Sequence, residues 1–271
     1  MLIIGEKINA TIPSIKEAVI AHDGEKLRDL AVRQKTAGAD IIDVNVGTGE
    51  GSGEDERRDM EWLVEILKSD DVGAMLCIDS DDAGILEAGL RKGGKKVAMI
   101  NSVKATEKNI NEVLPLAAEY KVPVVALAMD ENGIPGDSAG RLKACEKILK
   151  GAEVFGLDAE KVFFDPLVLP ISTDVSQGRT TIETIEKIKA FSPGAKTVLA
   201  LSNVSFGLPR RALINTALLH MAMLSGVDAA IVNPLDDSVM SAVRAGEAVL
   251  GRDRHCRRYL RSMRQDRQKG N

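Results

Sequence analysis

A single-domain (β/α)8 TIM barrel is the fold predicted for this chain of 271 residues. Short aliphatic runs alternate with amphipathic stretches eight times, polar residues close the runs, and no compositional break divides the sequence. Such alternation belongs to parallel strands joined by helices. Eight units in about 250 residues match the size of a closed barrel. An open doubly wound sheet is the alternative, but no GxGxxG follows the first run to support dinucleotide binding.

The first run, LIIGEKIN (2–9), carries Glu6 and Asn9. The second, ADIIDVNVG (39–47), carries Asp43 and Asn45, and a helix is predicted after it at 57–68, with Met60, Leu63, Val64 and Leu67 on one face. AMLCIDS (74–80) ends near Asp79 and VAMINS (97–102) at Asn101. PVVALAMD (123–130) reaches Met129 and Asp130, and KVFFDPL (161–167) places Asp165 before a proline. KTVLALSN (196–203) stops at Ser202 and Asn203, and AAIVNP (229–234) at Asn233. Active sites of such barrels lie at the C-terminal strand ends. Asp, Asn and Ser there also serve as helix N-caps, so any one position has two readings; eight strand ends together point to a site.

Composition narrows the setting. With 44% hydrophobic and 3% aromatic residues the core is aliphatic. Cys77, Cys145 and Cys256 are odd in number and lack CxxC spacing, and no basic stretch followed by an apolar core stands at Met1, so a cytoplasmic protein is expected. No apolar run approaches the roughly 20 residues of a membrane span. The barrel is assigned to 1–251. The remaining 252–271 is a basic tail, read as a helix extension or a disordered end, with eight Lys/Arg against Asp253 and Asp266 in a chain of net charge −4. Its single aromatic, Tyr259, and the lack of any recognition motif argue against nucleic acid.

The strand-end residues are carboxylates and amides. His22 falls in a turn, His255 in the tail, and His220 on a helical stripe with Leu213, Ala217 and Leu224, so no protein-bound metal is expected. No GxSxG elbow is present, and Cys77 reads as a small core residue. Paired carboxylate oxygens match the paired N–H groups of a guanidine-like edge, and an amide both donates and accepts. A pterin has such an edge.

LIIGEKIN, LCIDS (76–80), AMINS (98–102), FFDPLVLP (163–170) and KTVLALSNVSFGLPRR (196–211) closely resemble the methyltetrahydrofolate:corrinoid methyltransferases of the pterin-binding barrel superfamily, in the same order and from Met1 to about Gly251. IVNP (231–234) is also similar to the folate domain of methionine synthase. The resemblance implies a TIM barrel, usually homodimeric, that moves a methyl group between N5 of tetrahydrofolate and the cobalt of a corrinoid. It implies pterin binding by Asp79, Asn101, Asp165 and Ser202 and catalysis by Asn203 facing N5; Glu6, Asp43, Asn45, Met129, Arg211 and Asn233 are candidates for a surrounding layer, Asp43 and Asn45 reading equally as helix caps.

The departing tertiary amine needs a proton or a strong hydrogen bond, which an amide supplies in either protonation state by presenting nitrogen or oxygen. With no DxHxxG motif in the chain, the corrinoid is expected on a separate protein. The loop at 130–138 is a flap candidate through its turn residues Gly133, Pro135 and Gly136, and Trp62 with Ile66 a candidate dimer anchor. Two other functions share the pterin contacts: a dihydropteroate synthase, with Arg210 and Arg211 on a pyrophosphate, and a folate-binding protein without turnover.

Overall fold

The computed structural model describes residues 1–269. β1 (Leu2–Asn9) is followed by two short helices, α1 (Pro13–Ile20) and α2 (Gly24–Ala37), and then strand and helix alternate. The order continues β2 (Ile41–Asn45), α3 (Gly53–Leu67), β3 (Met75–Asp79), α4 (Ala83–Gly93), β4 (Val97–Lys104), α5 (Glu107–Tyr120) and β5 (Val124–Leu127). It ends α6 (Ser138–Val154), β6 (Val162–Asp165), α7 (Gln177–Phe191), β7 (Lys196–Ala200), α8 (Arg211–Leu224), β8 (Ala229–Val232), α9 (Asp237–Val249) and α10 (Arg257–Lys269). The eight strands close in chain order, and every pairing is parallel.

Two apolar layers hold the barrel. Ile4, Ile41, Cys77, Met99, Val125, Val198, Ala229 and Ile231 form a cluster of their own that fills the barrel beneath its mouth. Met60, Leu63, Val64 and Leu67 are buried on the inner face of α3, as their spacing predicts. Each such side chain removed from water contributes roughly 1.5–3 kcal/mol. α3 starts four residues earlier than 57 because Ser52 and Asp55 form a capping box: Asp55 N–H donates to Ser52 Oγ at 3.3 Å, and Ser52 N–H to Asp55 Oδ2 at 2.8 Å.

The side-chain caps of other helices that follow strands are also separate from the strand-end ring. Asp82 caps α4, Thr106 α5, Asp137 α6 and Asp236 α9, each accepting from a backbone N–H of the first turn. Asp43, Asp79, Asn101 and Asp165 cap no helix.

Two of the barrel's three register shifts turn extra residues toward the mouth; the third lies between Leu76 and Cys77 against β4. The β1–β2 register shifts between Gly5 and Ile8, and the β4–β5 register between Asn101 and Val103. A bulge re-aims side chains at a strand end, so Glu6 and Asn9 both reach the mouth, as do Asn101 and Ser102. At the first bulge Gln34 of α2 supplies the missing acceptor, its Oε1 taking Lys7 N–H at 3.0 Å. Gly5 is required beside it, because a Cβ there would stand 2.5 Å from the same oxygen.

The basic stretch from Arg252 continues as α10, whose first turn is tied by Asp253, with N–H donors of Arg258 and Tyr259 at 3.1 and 3.0 Å. Residues 270–271 of the predicted tail lie outside the described residues. α9 returns from the C-terminal end of β8 to the foot of β1, where Glu247 meets the Met1 ammonium. α10 therefore departs from the face opposite the mouth.

Candidate active site

At the C-terminal strand ends a cavity of about 420 Å³ opens to solvent. Glu6, Asp43, Asp79, Asn101, Asp165, Ser202 and Asn203 all line it.

Asp43 on β2 and Asp79 on β3 are buried neighbours on adjacent strands, close enough for each carboxyl to feel the other's charge. Burial raises both pKa values above the ordinary carboxyl range, and the charge of each neighbour holds Asp79 higher still. Amides brace the pair from both sides. Asn101 Nδ2 donates to Asp43 Oδ1 at 3.4 Å, and Asn45 Nδ2 to Asp79 Oδ2 at 3.1 Å. Cys77, in register with Asp43, offers its thiol from below.

Asp165 ends β6 apart from this pair. Burial lifts it to about 6, against the pull of its bond from Leu167 N–H (2.8 Å) and of the Arg141 guanidinium. On the remaining wall Ser202 Oγ donates to Glu6 Oε2 at 3.2 Å, and Glu6 is raised by burial, partly offset by that bond.

Asn203 differs from its predicted setting. β7 stops at Ala200, and Leu201–Ser205 form a 3-10 turn. The turn buries Leu201 and Val204 in the outer core and presents Ser202 and Asn203 to the cavity. A strand alternates faces and does not deliver two consecutive residues to one side; the turn does. Arg211 braces it, Nη2 donating to Ser202 C=O at 2.6 Å and Nε to Ser205 Oγ at 2.9 Å.

The outer layer divides. Asn45 backs Asp79, and Arg211 holds the 3-10 turn. Met129 and Asn233 do not line the cavity; Asn233 Oδ1 accepts Leu235 N–H at 3.1 Å in the turn before α9, a local loop role. Asn9, one of the strand-end polar residues, lines the cavity too, as do Thr11, Ser102, Leu127 and Ile231, which the sequence does not single out. Asn9 and Ser102 are there because of the bulges. Arg141 was also missed. Its signal was a cation on the apolar stripe of Ala144, Cys145 and Ile148 in α6.

Other side chains find structural settings. His220 Nε2 lies 3.0 Å from Ala242 C=O in a helix contact. Trp62 stacks on His22 with ring centroids 4.4 Å apart, covering the turn between α1 and α2. The 130–138 loop begins with a bridge between Asp130 and Gly133. Among the described residues no group of three or more His, Cys, Asp or Glu is disposed to hold a metal ion, and no helix is long and apolar enough to cross a membrane.

The profile of the family described as pterin binding enzyme matches residues 5–233. The chain is 35% identical to a methylcorrinoid:tetrahydrofolate methyltransferase of Eubacterium limosum, over 98% of this chain and 97% of that one. It is 32% identical to the methionine synthase of Mycobacterium tuberculosis over 86% of this chain, which spans 20% of that longer protein. Among solved structures, the dihydropteroate synthase of Xanthomonas albilineans in complex with 7,8-dihydropteroate superposes with a TM-score of 0.71 at 20% identity, covering 92% of this chain and 93% of that one. A Yersinia pestis dihydropteroate synthase gives 0.70 at 18% identity, over 92% and 94%. At that identity the likeness is one of fold.

Proposed function

The chain belongs to the pterin-binding enzyme family, and from that premise we propose that it is a methyltransferase moving a methyl group between N5 of tetrahydrofolate and the cobalt of a corrinoid on a separate protein. The observation that carries this is an amide, Asn203, on the seventh strand's wall, sharing one cavity with the acceptors Asp79, Asn101 and Asp165. Asp79 and Asp165 accept N–H groups of the pterin edge, and Asn101 reads the adjoining ring atoms with Ser202.

The chemistry is a displacement at the methyl carbon, and the amine left on folate needs stabilisation at N5. Asn203 supplies a preorganised hydrogen bond there. Asp43, raised by burial to about 6, and Glu6, also raised by burial, place carboxyl groups able to carry a proton in the same cavity. A proton carried by Asp43 or Glu6 is available to N5 through the cavity. The corrinoid approaches through the open mouth.

A dihydropteroate synthase would need cations free to take a pyrophosphate. Arg211 is engaged with Ser202 and Ser205, which weighs against that reading. The experiment is anaerobic and spectral. Mixing the protein with methyltetrahydrofolate and cob(I)alamin is expected to yield methylcobalamin, or the reverse with tetrahydrofolate, with no added zinc or nucleotide. Folate binding without turnover would instead mark a binding protein, and labelled p-aminobenzoate entering a pteroate would mark the synthase.

We propose further that the protein is a cytoplasmic homodimer. Trp62 and Ile66 are half-buried, with Trp62 stacked on His22, and the α7–α8 face offers a broader contact: Val175, Met221 and Leu224 are 90%, 58% and 75% exposed along an apolar groove. Arg179 and Glu186 both line that groove and suit a two-fold pairing of like faces. Sedimentation is expected to give a dimer and Leu224→Asp a monomer. A parent that sediments as a monomer at micromolar concentration overturns the assignment.

A further inference from the structure

Arg141 is fully buried on the inner stripe of α6, among Ala144, Cys145 and Ile148. A guanidinium survives in a core only where fixed acceptors meet its fork of donors. Nε donates to Pro135 C=O at 3.0 Å, Nη1 to Pro166 and Leu167 C=O at 2.9 and 2.8 Å, and Nη2 to Gln177 Oε1 at 2.6 Å. These acceptors belong to the loop before α6, the loop after Asp165 and the first turn of α7. One side chain thus ties two loops of the mouth to a helix start.

The tie bears on Asp165 in particular. Leu167 sits at φ +63°, a left-handed conformation that a bulky residue avoids unless its surroundings fix it. Its N–H donates to Asp165 Oδ1 at 2.8 Å, and its C=O receives Arg141. The peptide that orients the carboxylate is the one the guanidinium holds.

We infer that Arg141 is the positioning residue of Asp165: it fixes the 166–167 turn that aims this carboxylate into the cavity and keeps it ionised to accept the pterin edge. The inference rests on the pterin reading of Asp165. Arg141 and Cys145 of α6, with Asp137 at the α6 N-cap, are the titratable groups on this side. Lys196 of β7 is in register with Phe163, below Asp165, while Asp43, Asp79 and Glu6 face it across the cavity. The Arg141 charge opposes the rise that burial imposes on Asp165.

The experiment measures methyltetrahydrofolate binding from pH 5 to 8 for the parent, Arg141→Met and Arg141→Lys, with circular dichroism to confirm folding. Removing the charge in Arg141→Met is expected to move the acidic midpoint of binding up by about one unit, which from a value near 6 weakens binding about twofold at pH 7 and close to tenfold at pH 5. Arg141→Lys keeps the charge but loses the planar fork, so its affinity falls across the range while its midpoint stays with the parent's.

A folded Arg141→Met whose profile superimposes on the parent's, or a loss equal at every pH in both variants, overturns the inference. If Arg141→Met does not fold, unchanged affinity or a displaced midpoint in Arg141→Lys overturns it. If neither variant folds, Arg141 is a folding residue and the assignment to Asp165 fails. A parent that binds no methyltetrahydrofolate at any pH strikes the pterin reading itself, a result distinct from all of these.

Discussion

Asn203→Ala is expected to lower the methyl-transfer rate at saturating methyltetrahydrofolate by about 10²–10³, the size of one preorganised hydrogen bond to developing charge. Folate affinity falls by less, because the bond to N5 is strongest in the transition state. The expectation follows from the 3-10 turn at Leu201–Ser205. Leu201 and Val204 anchor it in the core, and Arg211 pins the carbonyl of Ser202, so the backbone that carries Asn203 is fixed before substrate arrives. Truncation should leave this scaffold standing, since Asn203 is not among its anchors. Single-turnover rates set beside a folate dissociation constant separate the two effects. A saturated rate equal to the parent's assigns Asn203 to substrate positioning and moves the proton problem to Asp43 or Glu6.

Asp79→Ala and Asp165→Ala are each expected to weaken methyltetrahydrofolate binding by roughly 1–3 kcal/mol for every pterin N–H left without its acceptor, about 5- to 150-fold. pH adds a second signature in the parent. Burial raises Asp165 to about 6. Above that value the carboxylate is ionised and both oxygens accept; below it one oxygen carries a proton and opposes a pterin N–H. Affinity is therefore expected to hold above pH 6 and to decline as pH falls through it. Asp165→Ala should remove that part of the decline. Titration calorimetry at several pH values reads both effects, and variants that bind like the parent would reduce the ring to a structural feature.

Much of the barrel was legible in the sequence because its strands are aliphatic runs bounded by polar residues. Asp43, Asp79, Asn101 and Asp165 were legible for the same reason, being polar side chains on walls that are otherwise apolar. What escaped depends on relations between segments. Ser102 reaches the cavity beside Asn101 because of a register shift against the neighbouring strand, and a single run carries no register. The apolar run through Leu201 concealed the end of β7, since a buried strand and a buried turn are equally hydrophobic. Arg141 was visible as an irregularity in a helical stripe, but its acceptors are carbonyls of Pro135, Pro166 and Leu167, whose directions no side-chain pattern encodes.

The separation of Asp82, Thr106, Asp137 and Asp236 from the strand-end ring makes the mouth an exchangeable part. Helix nucleation is entrusted to residues a few positions downstream, so a ring position can change its chemistry without taking a helix start with it. Evolution could then retune such a mouth, trading an amide for a cation or a carboxylate for an amide, while the chain went on folding by the same instructions.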